Sequence, residues 1–307
     1  MKKILITGGA GFIGSNLAQY ILENETSDDL TITILDALTY AGNEANVPRD
    51  SRVSLEVGDV RNANTVNHFV SRADEIYHLA AESHVDRSIE NPNLFIETNI
   101  LGTANILEAL RSTDKRGVIV STDEVYGSLE YESATEEFGI KPSSPYSASK
   151  AGADLLALAS FQTFKTNVIV TRCTNNFGPN QYPEKLIPVV INRAKNNLSI
   201  PVYGDGTNVR DWIHVEDHCS GLFLAMQKGI IGNIYNFGND QLVSNLEIVY
   251  RILGIMGKPL SLIEFVEDRL GHDFRYSINA KKSRKELGWK PRRSLESDLP
   301  STVYSYL

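Results

Sequence analysis

An α/β fold, a doubly wound parallel sheet with a smaller C-terminal substrate-binding lobe, is predicted by three features of the sequence. Short β-branched runs alternate with helical patterns through the first 172 residues. A glycine-rich string closes the first run and opens the first helical pattern. Beyond Arg172 the alternation gives way to shorter pieces rich in Asn, Gly and Pro.

The apolar runs fall at 4–7, 31–35, 53–57, 76–79, 118–121 and 168–171, with helical stretches at 12–22, 94–110 and 148–164. Apolar runs between helical patterns suit strands buried on both faces of a parallel sheet. Right-handed crossovers then gather the strand C-termini along one edge, where ligands bind. Residues 175–188 read as a loop leading into a helix at 186–195, and 201–206 as a short strand with a turn. A helix at 215–227, a strand at 234–237 and a helix near 246–256 follow. With no repeat or flexible linker, the second lobe is expected to pack closely on the first.

Bulk composition excludes several function classes. The 307 residues carry 30 Lys and Arg against 38 Asp and Glu, a formal charge of −8, and no basic stripe such as a nucleic-acid platform would show. An anionic ligand must therefore be met by a few local cations and backbone N–H groups. The two cysteines, Cys173 and Cys219, lack metal-ligand spacing and suit a reducing compartment. The opening apolar run stops at Thr7-Gly8-Gly9, too short for a signal peptide. No apolar stretch reaches the roughly 18 residues that a membrane span needs. A cytoplasmic protein without a metal, a membrane or a nucleic-acid partner is expected.

Gly8, Gly11 and Gly14 sit between the first strand and the first helix. Glycines there permit a tight turn, close approach of backbone to a pyrophosphate, and close packing of helix on strand. The helix N-terminus adds free N–H groups and partial positive charge. Asp36 ends the next strand 22 residues after Gly14, where an acid can hold ribose hydroxyls and repel a 2′-phosphate. NAD is the expected cofactor. The expected division is 1–178 and 215–243 for the NAD-binding domain, and 179–214 and 244–307 for the substrate lobe.

This Gly spacing resembles that of the extended short-chain dehydrogenase/reductase family, with its Rossmann-type sheet. The resemblance assigns Phe12 and Ile13 to the same loop, and Asp59 and Val60 to the adenine. It places Leu79, Ala80, Ala81, Ser83, Thr98 and Asn176 along the rest of the dinucleotide.

Tyr146-Ser147-Ala148-Ser149-Lys150 matches that family's Tyr-x-x-x-Lys, and four residues on a helix put both side chains on one face. A tyrosine acting as base near neutrality needs its pKa lowered by roughly 3 units, about 4 kcal/mol. The Lys150 ammonium and a charged nicotinamide are the expected sources. Twenty-four residues upstream stands Thr122-Asp123-Glu124-Val125-Tyr126-Gly127. Two adjacent carboxyl groups at the catalytic edge offer an acid and a base for neighbouring carbons.

That tract, with residues 80–89, 172–179, 183–188, 210–212 and 268–273, resembles the dTDP-glucose 4,6-dehydratases along essentially the whole chain. The reaction implied is transient oxidation at C4 by NAD, elimination of water across C5–C6, and return of hydride to C6. The implied roles follow in order. Tyr146, supported by Lys150, takes the proton of the 4-hydroxyl, and Thr122 donates a hydrogen bond to the same oxygen. Glu124 removes the C5 proton and Asp123 protonates the departing 6-hydroxyl.

The same resemblance places Glu184, Lys185, Leu186, Pro201 and Tyr203 around the base, and His84 near the sugar. Asn175, Asn245 and His272 match further substrate contacts. Arg210 and Arg269 are the expected diphosphate ligands, since guanidinium forks suit phosphate geometry, with Lys185 and Arg193 nearby in sequence. Phe274 stands where many relatives place a second arginine. A homodimer through the helices at 94–110 and 148–164 is implied. A UDP-sugar dehydratase, decarboxylase or 4-epimerase would share the scaffold, and a non-catalytic NAD sensor would share the cofactor loop. Simple 4-epimerisation has no use for the Asp123–Glu124 pair, and such sensors typically lose the Tyr or Lys that this chain keeps. Thymidine and uridine are not distinguished by the spacing.

Overall fold

The computed structural model describes residues 2–25 and 29–307. Met1 and residues 26–28, inside the expected 1–178 domain, lie outside the described residues. The first half runs β1 (Lys2–Thr7), α1 (Phe12–Asn24), β2 (Leu30–Asp36), β3 (Val53–Val57), α2 (Ala63–Val70), β4 (Glu75–His78), α3 (Val85–Glu90), α4 (Pro92–Phe95), α5 (Gly102–Thr113), β5 (Arg116–Thr122), α6 (Pro145–Phe164) and β6 (Val168–Cys173). The remainder runs β7 (Asn175–Phe177), α7 (Leu186–Lys195), β8 (Ile200–Tyr203), β9 (Val209–His214), α8 (Val215–Lys228), β10 (Ile234–Phe237), β11 (Leu242–Ser244), α9 (Asn245–Met256), β12 (Ile263–Val266), α10 (Lys281–Leu287) and α11 (Leu295–Ser305).

The main sheet has the order β10-β6-β5-β4-β1-β2-β3, and every neighbouring pair is parallel. Strand order runs outward from β1 in both directions, so a crevice opens beyond the C-terminal ends of β1 and β4. Successive residues point to opposite faces, and here both faces are apolar. Ile4 and Ile6 join Ile32, Ile34, Val118, Val120 and Ile169 in one core, while Leu5 joins Leu35, Ile76, Ile119, Val168 and Val170 in the other. α1 and α8 cover the first face; α2, α5 and α6 cover the second. Each such side chain contributes about 1.5–3 kcal/mol on full burial, which fixes strand register and hence the level of the catalytic edge.

α6 carries the Tyr-x-x-x-Lys pair and begins with Ser144 and Ser147 capping each other's backbone N–H, followed by Pro145 in the first turn. Proline is tolerated there because its missing N–H has no intrahelical partner. Tyr146 is thereby held at a defined helix start beside the end of β5.

Two expectations, one helix and one loop, are corrected. The helix expected at 94–110 starts at Pro92, passes through a π-helical stretch at Ile96–Leu101, and continues as α5 to Thr113. The wider turn breaks the 3.6-residue period on which the reading depended. It also turns Asn99 inward, where its amide clamps Glu82 through Oδ1 to the N–H (2.8 Å) and Nδ2 to the carbonyl (3.0 Å). The loop expected at 175–188 begins later, because β7 pairs in parallel with β9. β7 lies in the small β11-β9-β7 sheet. Ala280, Leu287 and Trp289 of the expected lobe pack into the α8 side of the main core. There Trp289 lies edge-on to Phe237 and its Nε1 donates to the Asp217 carbonyl at 2.9 Å.

The second lobe has its own core of Phe177, Ile187, Val190, Trp212, Ile248 and Leu299, built by α7, α9 and α11. β8 and β12 pair in parallel at its edge. Among the described residues no helix is long and apolar enough to cross a membrane.

Candidate active site

A cleft of about 430 Å³ opens at the C-terminal edge of the main sheet, and every residue expected at the dinucleotide lines it. Gly8 has φ +69°, and a Cβ there would sit 2.6 Å from the Ala80 backbone N. Side chains are excluded on both counts. A Cβ at Gly14 would strike the Gly8–Gly9 backbone, so α1 packs on the turn only as glycine. A Cβ at Gly11 would meet nothing nearer than the Gly8 carbonyl at 3.3 Å, so it would instead project into the cleft. No side chain caps α1 and no acid occupies its first turn. The result is an open, electropositive helix end that fits a diphosphate.

Asp36 is buried; its Oδ2 accepts from the Ala10 N–H (3.0 Å) and its Oδ1 from the Leu38 N–H (2.8 Å). Each oxygen keeps a lone pair for a ribose hydroxyl. These features fit NAD. Asp59 forms an ion pair with Arg61 at 2.6 Å, and the side-chain amide of Asn176 is engaged by His218, Thr174 and Cys173. Asn176 therefore offers the cleft its shape more than its hydrogen bonds. Tyr40, Glu82, Arg87, Tyr182 and Glu184 tie the two lobes together across the cleft. The Arg87 guanidinium lies 3.9 Å over the Tyr40 ring and bonds Glu184 at 3.0 Å. Tyr182 meets Tyr40 edge-on.

β5 ends at Thr122 and leads straight into a tight 3-10 turn, Asp123–Tyr126. That turn sets Asp123 and Glu124 beside α6. The Lys150 ammonium is buried and donates to the Val120 carbonyl at 2.7 Å. The Tyr146 phenol is pushed well up by burial and then by the Glu124 charge, with the Thr122 hydroxyl opposing the rise. The protein's own groups thus raise the phenol, and the expected lowering draws on Lys150 together with the charge of a nicotinamide. Burial pushes Lys150 down, opposed by Asp154.

The two carboxyl groups differ in their surroundings. Asp123 is pushed well above the carboxylate range by burial and by the charges of Glu124 and Asp211. Its Oδ1 accepts from Thr122 Oγ1 at 3.3 Å and its Oδ2 has no hydrogen-bond partner. Glu124 is raised by burial too, but Lys185, Arg210 and Arg269 all pull it back. Asp123 is therefore the carboxyl built to hold a proton, and Glu124 the one built to release it. Tyr276, which the sequence reading did not single out, reaches Glu124 Oε2 at 3.5 Å while donating to Asp273 Oδ2 at 2.6 Å. Ser143 bonds the same Asp273 oxygen. The signal lay in the 268–276 tract, where Phe274 drew attention; Phe274 itself is exposed, held only through its backbone.

Of the residues expected at the nucleotide sugar, Thr122, Asn175 and Lys185 share the cleft wall. Lys185 donates to the Ser83 carbonyl at 2.6 Å and stands just before Leu186 at the start of α7, without a side-chain cap. Arg269 lies over the Tyr203 ring at 5.0 Å and 3.7 Å from Asp86, which in turn faces His84 at 3.9 Å. Its Nε has no partner. His272 packs edge-on to Tyr203 and bonds Asp268 at 2.6 Å, leaving Nε2 unpartnered. Pro201 lies two residues back on β8, and the Asn245 N–H donates to Asn208. Two further cations bond backbone carbonyls. Arg210 stacks on Tyr276 at 4.3 Å and spends its Nη groups on the carbonyls of Val209, Asp273 and Phe274. Arg193 is turned to the Ser199 carbonyl at the far end of α7.

The sequence pattern of the GDP-mannose 4,6 dehydratase family matches residues 5–301. The low-salt glycan biosynthesis protein Agl12 of Haloferax volcanii is 49% identical over 99% of this chain and 98% of that protein. The dTDP-glucose 4,6-dehydratase of an Actinoplanes species is 45% identical over 99% and 97%. The crystal structure of DesIV, the dTDP-glucose 4,6-dehydratase of Streptomyces venezuelae with NAD and TYD bound, superposes with a TM-score of 0.96. It is 44% identical, covering 99% of this chain and 96% of that one. With this site at the switch point of its sheet and these relatives along its whole length, the chain belongs to the GDP-mannose 4,6 dehydratase family.

Proposed function

We propose that this chain dehydrates dTDP-glucose to dTDP-4-keto-6-deoxyglucose with NAD as its resident cofactor. One observation carries the reading: a buried Asp123, raised by burial and the Glu124 charge, adjoins a half-buried Glu124 that Lys185, Arg210 and Arg269 draw back, and both stand beside the Tyr146–Lys150 pair. The relatives named dTDP-glucose 4,6-dehydratases support the thymidine donor. Gly8, Gly11, Phe12, Ile13, Gly14 and Asp36 would hold the dinucleotide, with Asp59, Val60, Leu79, Ala80, Ala81, Ser83, Thr98 and Asn176 along its length. Bound NAD supplies a two-electron acceptor at C4 and returns the same electrons at C6.

The chain's own residues move the protons. With the positive charge of bound nicotinamide added to that of Lys150, Tyr146 would give up its own proton and so accept that of the 4-hydroxyl, Lys150 supporting the phenolate charge. The C4 ketone makes the C5 proton acidic, and Glu124 takes it. Asp123 gives its proton to the 6-hydroxyl, which leaves as water, and Glu124 hands its proton back to C5. One turnover thus leaves Tyr146 with an extra proton and Asp123 without one. Thr122, whose hydroxyl bonds Asp123 and faces the phenol, lies between the two. General acid–base steps of this kind each supply about 10²–10⁴ in rate. Arg269, with His84, Asn175, Glu184, Lys185, Leu186, Pro201, Tyr203, Arg210, Asn245 and His272 about it, would meet the nucleoside diphosphate and the sugar.

The lobe division carried forward is 1–178 and 215–243 for the cofactor side, and 179–214 and 244–307 for the sugar side, with β7 and α10 crossing between them. A homodimer through the helical stretches at 94–110 and 148–164 is supported by exposed Leu101, Leu155, Leu156 and Phe164. Light scattering tests it. A cytoplasmic location is supported by two buried, unpaired cysteines. The function is tested by incubating the enzyme with dTDP-glucose, UDP-glucose and GDP-mannose and reading the alkali-induced absorbance of a 4-keto-6-deoxy sugar. The signal is expected first with dTDP-glucose. Its absence there, or a stronger signal with GDP-mannose, overturns the donor.

A further inference from the structure

Asp154 and Arg172 form an ion pair that the reaction above does not use. Arg172 Nε donates to Asp154 Oδ2 at 2.7 Å, and the side chains are 1% and 0% exposed. Replacing a pair buried so completely with apolar residues is often neutral or stabilising, so stability alone gives it weak reason to exist. Its position gives a better one. Tyr146, Lys150 and Asp154 follow at intervals of four on the buried face of α6. Arg172 is registered opposite Ser121 on β5, one residue before Thr122, and its guanidinium lies 4.7 Å over the ring of Tyr126 in the Asp123–Glu124 turn. Asp154 Oδ1 and Arg172 Nη1 have no hydrogen-bond partner.

The other titratable groups acting on or beside Lys150 carry no counter-charge. His78 on β4 is driven down to about 3 by burial and by Lys150, and stays neutral. Cys173 on β6 is pushed up to about 12 by burial and by Asp123, and stays a thiol. The Tyr146 phenol is pushed well up by burial and is the proton acceptor that Lys150 serves, not a fixed counter-charge. Asp154, buried one helical turn further along α6, is the carboxylate whose charge opposes the fall of Lys150.

We propose that Asp154 is a positioning residue shared between two buried cations, keeping the Lys150 ammonium charged, with Arg172 setting how much of that carboxylate Lys150 receives. The proposal deepens the reading of Tyr146 and Lys150 as the proton-transfer pair and rests on it. Removing the Asp154 charge strips Lys150 of its counter-ion, so Lys150 loses its proton at lower pH. Removing Arg172 leaves Asp154 wholly to Lys150, so the proton is held to higher pH. The two substitutions act in opposite directions.

The test uses NAD-loaded enzyme and three variants, Asp154→Asn, Arg172→Met and the two combined. The first readout is titration of Lys150 by NMR of isotope-labelled lysine, assigned by its loss in Lys150→Met. The second is the alkaline limb of the pH–rate profile. Asp154→Asn should move both midpoints down by about 1–3 units, the range for a lost opposite charge at close range, and Arg172→Met should move them up. The combined variant removes both charges of the Asp154–Arg172 pair together, so neither is left facing a lost partner, and it should follow Asp154→Asn. Wild-type midpoints in the combined variant would overturn the proposal and leave the pair as a tie between α6 and β6. If no nucleotide sugar is turned over, the substrate reading fails, while the lysine titration still decides this one.

Discussion

Asp123 is 3% exposed, its Oδ2 has no hydrogen-bond partner, and Glu124 and Asp211 place like charges against it. Asparagine has the same shape and no proton to give. Asp123→Asn should therefore cost about 10²–10⁴ in turnover, the contribution of a positioned general acid. Stability should move the other way. The folded chain holds a proton that the unfolded chain releases above the ordinary carboxyl value of 3.8. Stability of the wild type accordingly falls as pH rises from about 4 toward the raised folded value, because the native state binds more protons. The neutral amide removes that loss. The gain should be about 1–3 kcal/mol at about pH 8, the usual cost of a buried polar group without its partner, and should shrink toward pH 4. Urea unfolding midpoints at the two pH values and the keto-sugar assay measure both halves. Turnover within about tenfold of wild type, or an Asn variant less stable at pH 8 than at pH 4 relative to wild type, would refute the reasoning.

Other perturbations follow from the same geometry. Gly14→Ala drives a Cβ into the Gly8–Gly9 backbone and should weaken NAD by about 5- to 150-fold, equivalent to 1–3 kcal/mol of overpacking, by calorimetry. Asp36→Ala removes the acceptor that Ala10 and Leu38 share, and with it the charge that repels a 2′-phosphate. The preference for NAD over NADP should narrow by about tenfold or more, read from the two dissociation constants. Arg269→Ala should raise KM for the nucleotide sugar by about 10- to 150-fold, the worth of a charged hydrogen bond, with a much smaller change in kcat. An equal fall in kcat would place Arg269 at the reacting carbons instead.

Much of the site was legible because it is written locally. Gly8, Gly11 and Gly14 carry their reason within seven residues, and Tyr146 and Lys150 within one helical turn. Asp123 and Glu124 are neighbours whose chemistry needs only that the strand before them end at the catalytic edge. The register of β5 between β4 and β6 supplies that. What sequence spacing could not supply was contact across lobes. Tyr276 reaches Glu124 over 152 residues, and Arg87 reaches Glu184 over 97. Nor could it show which cations are free. Arg210 and Arg269 look alike in sequence, yet Arg210 donates three bonds to backbone carbonyls while Arg269 keeps an unpartnered Nε. The π-helical stretch was hidden because a widened turn leaves no periodic signature, and β7 because three residues with two asparagines read as loop.

The division of labour between the two carboxyl groups is tested most directly by Glu124→Gln, loaded with NAD and mixed with dTDP-glucose in a single turnover. With Tyr146 and Lys150 intact but no base for C5, the nicotinamide absorbance should rise to that of the reduced form and stay there, while no 4-keto-6-deoxy sugar forms. Product at the wild-type rate from that variant would contradict the account.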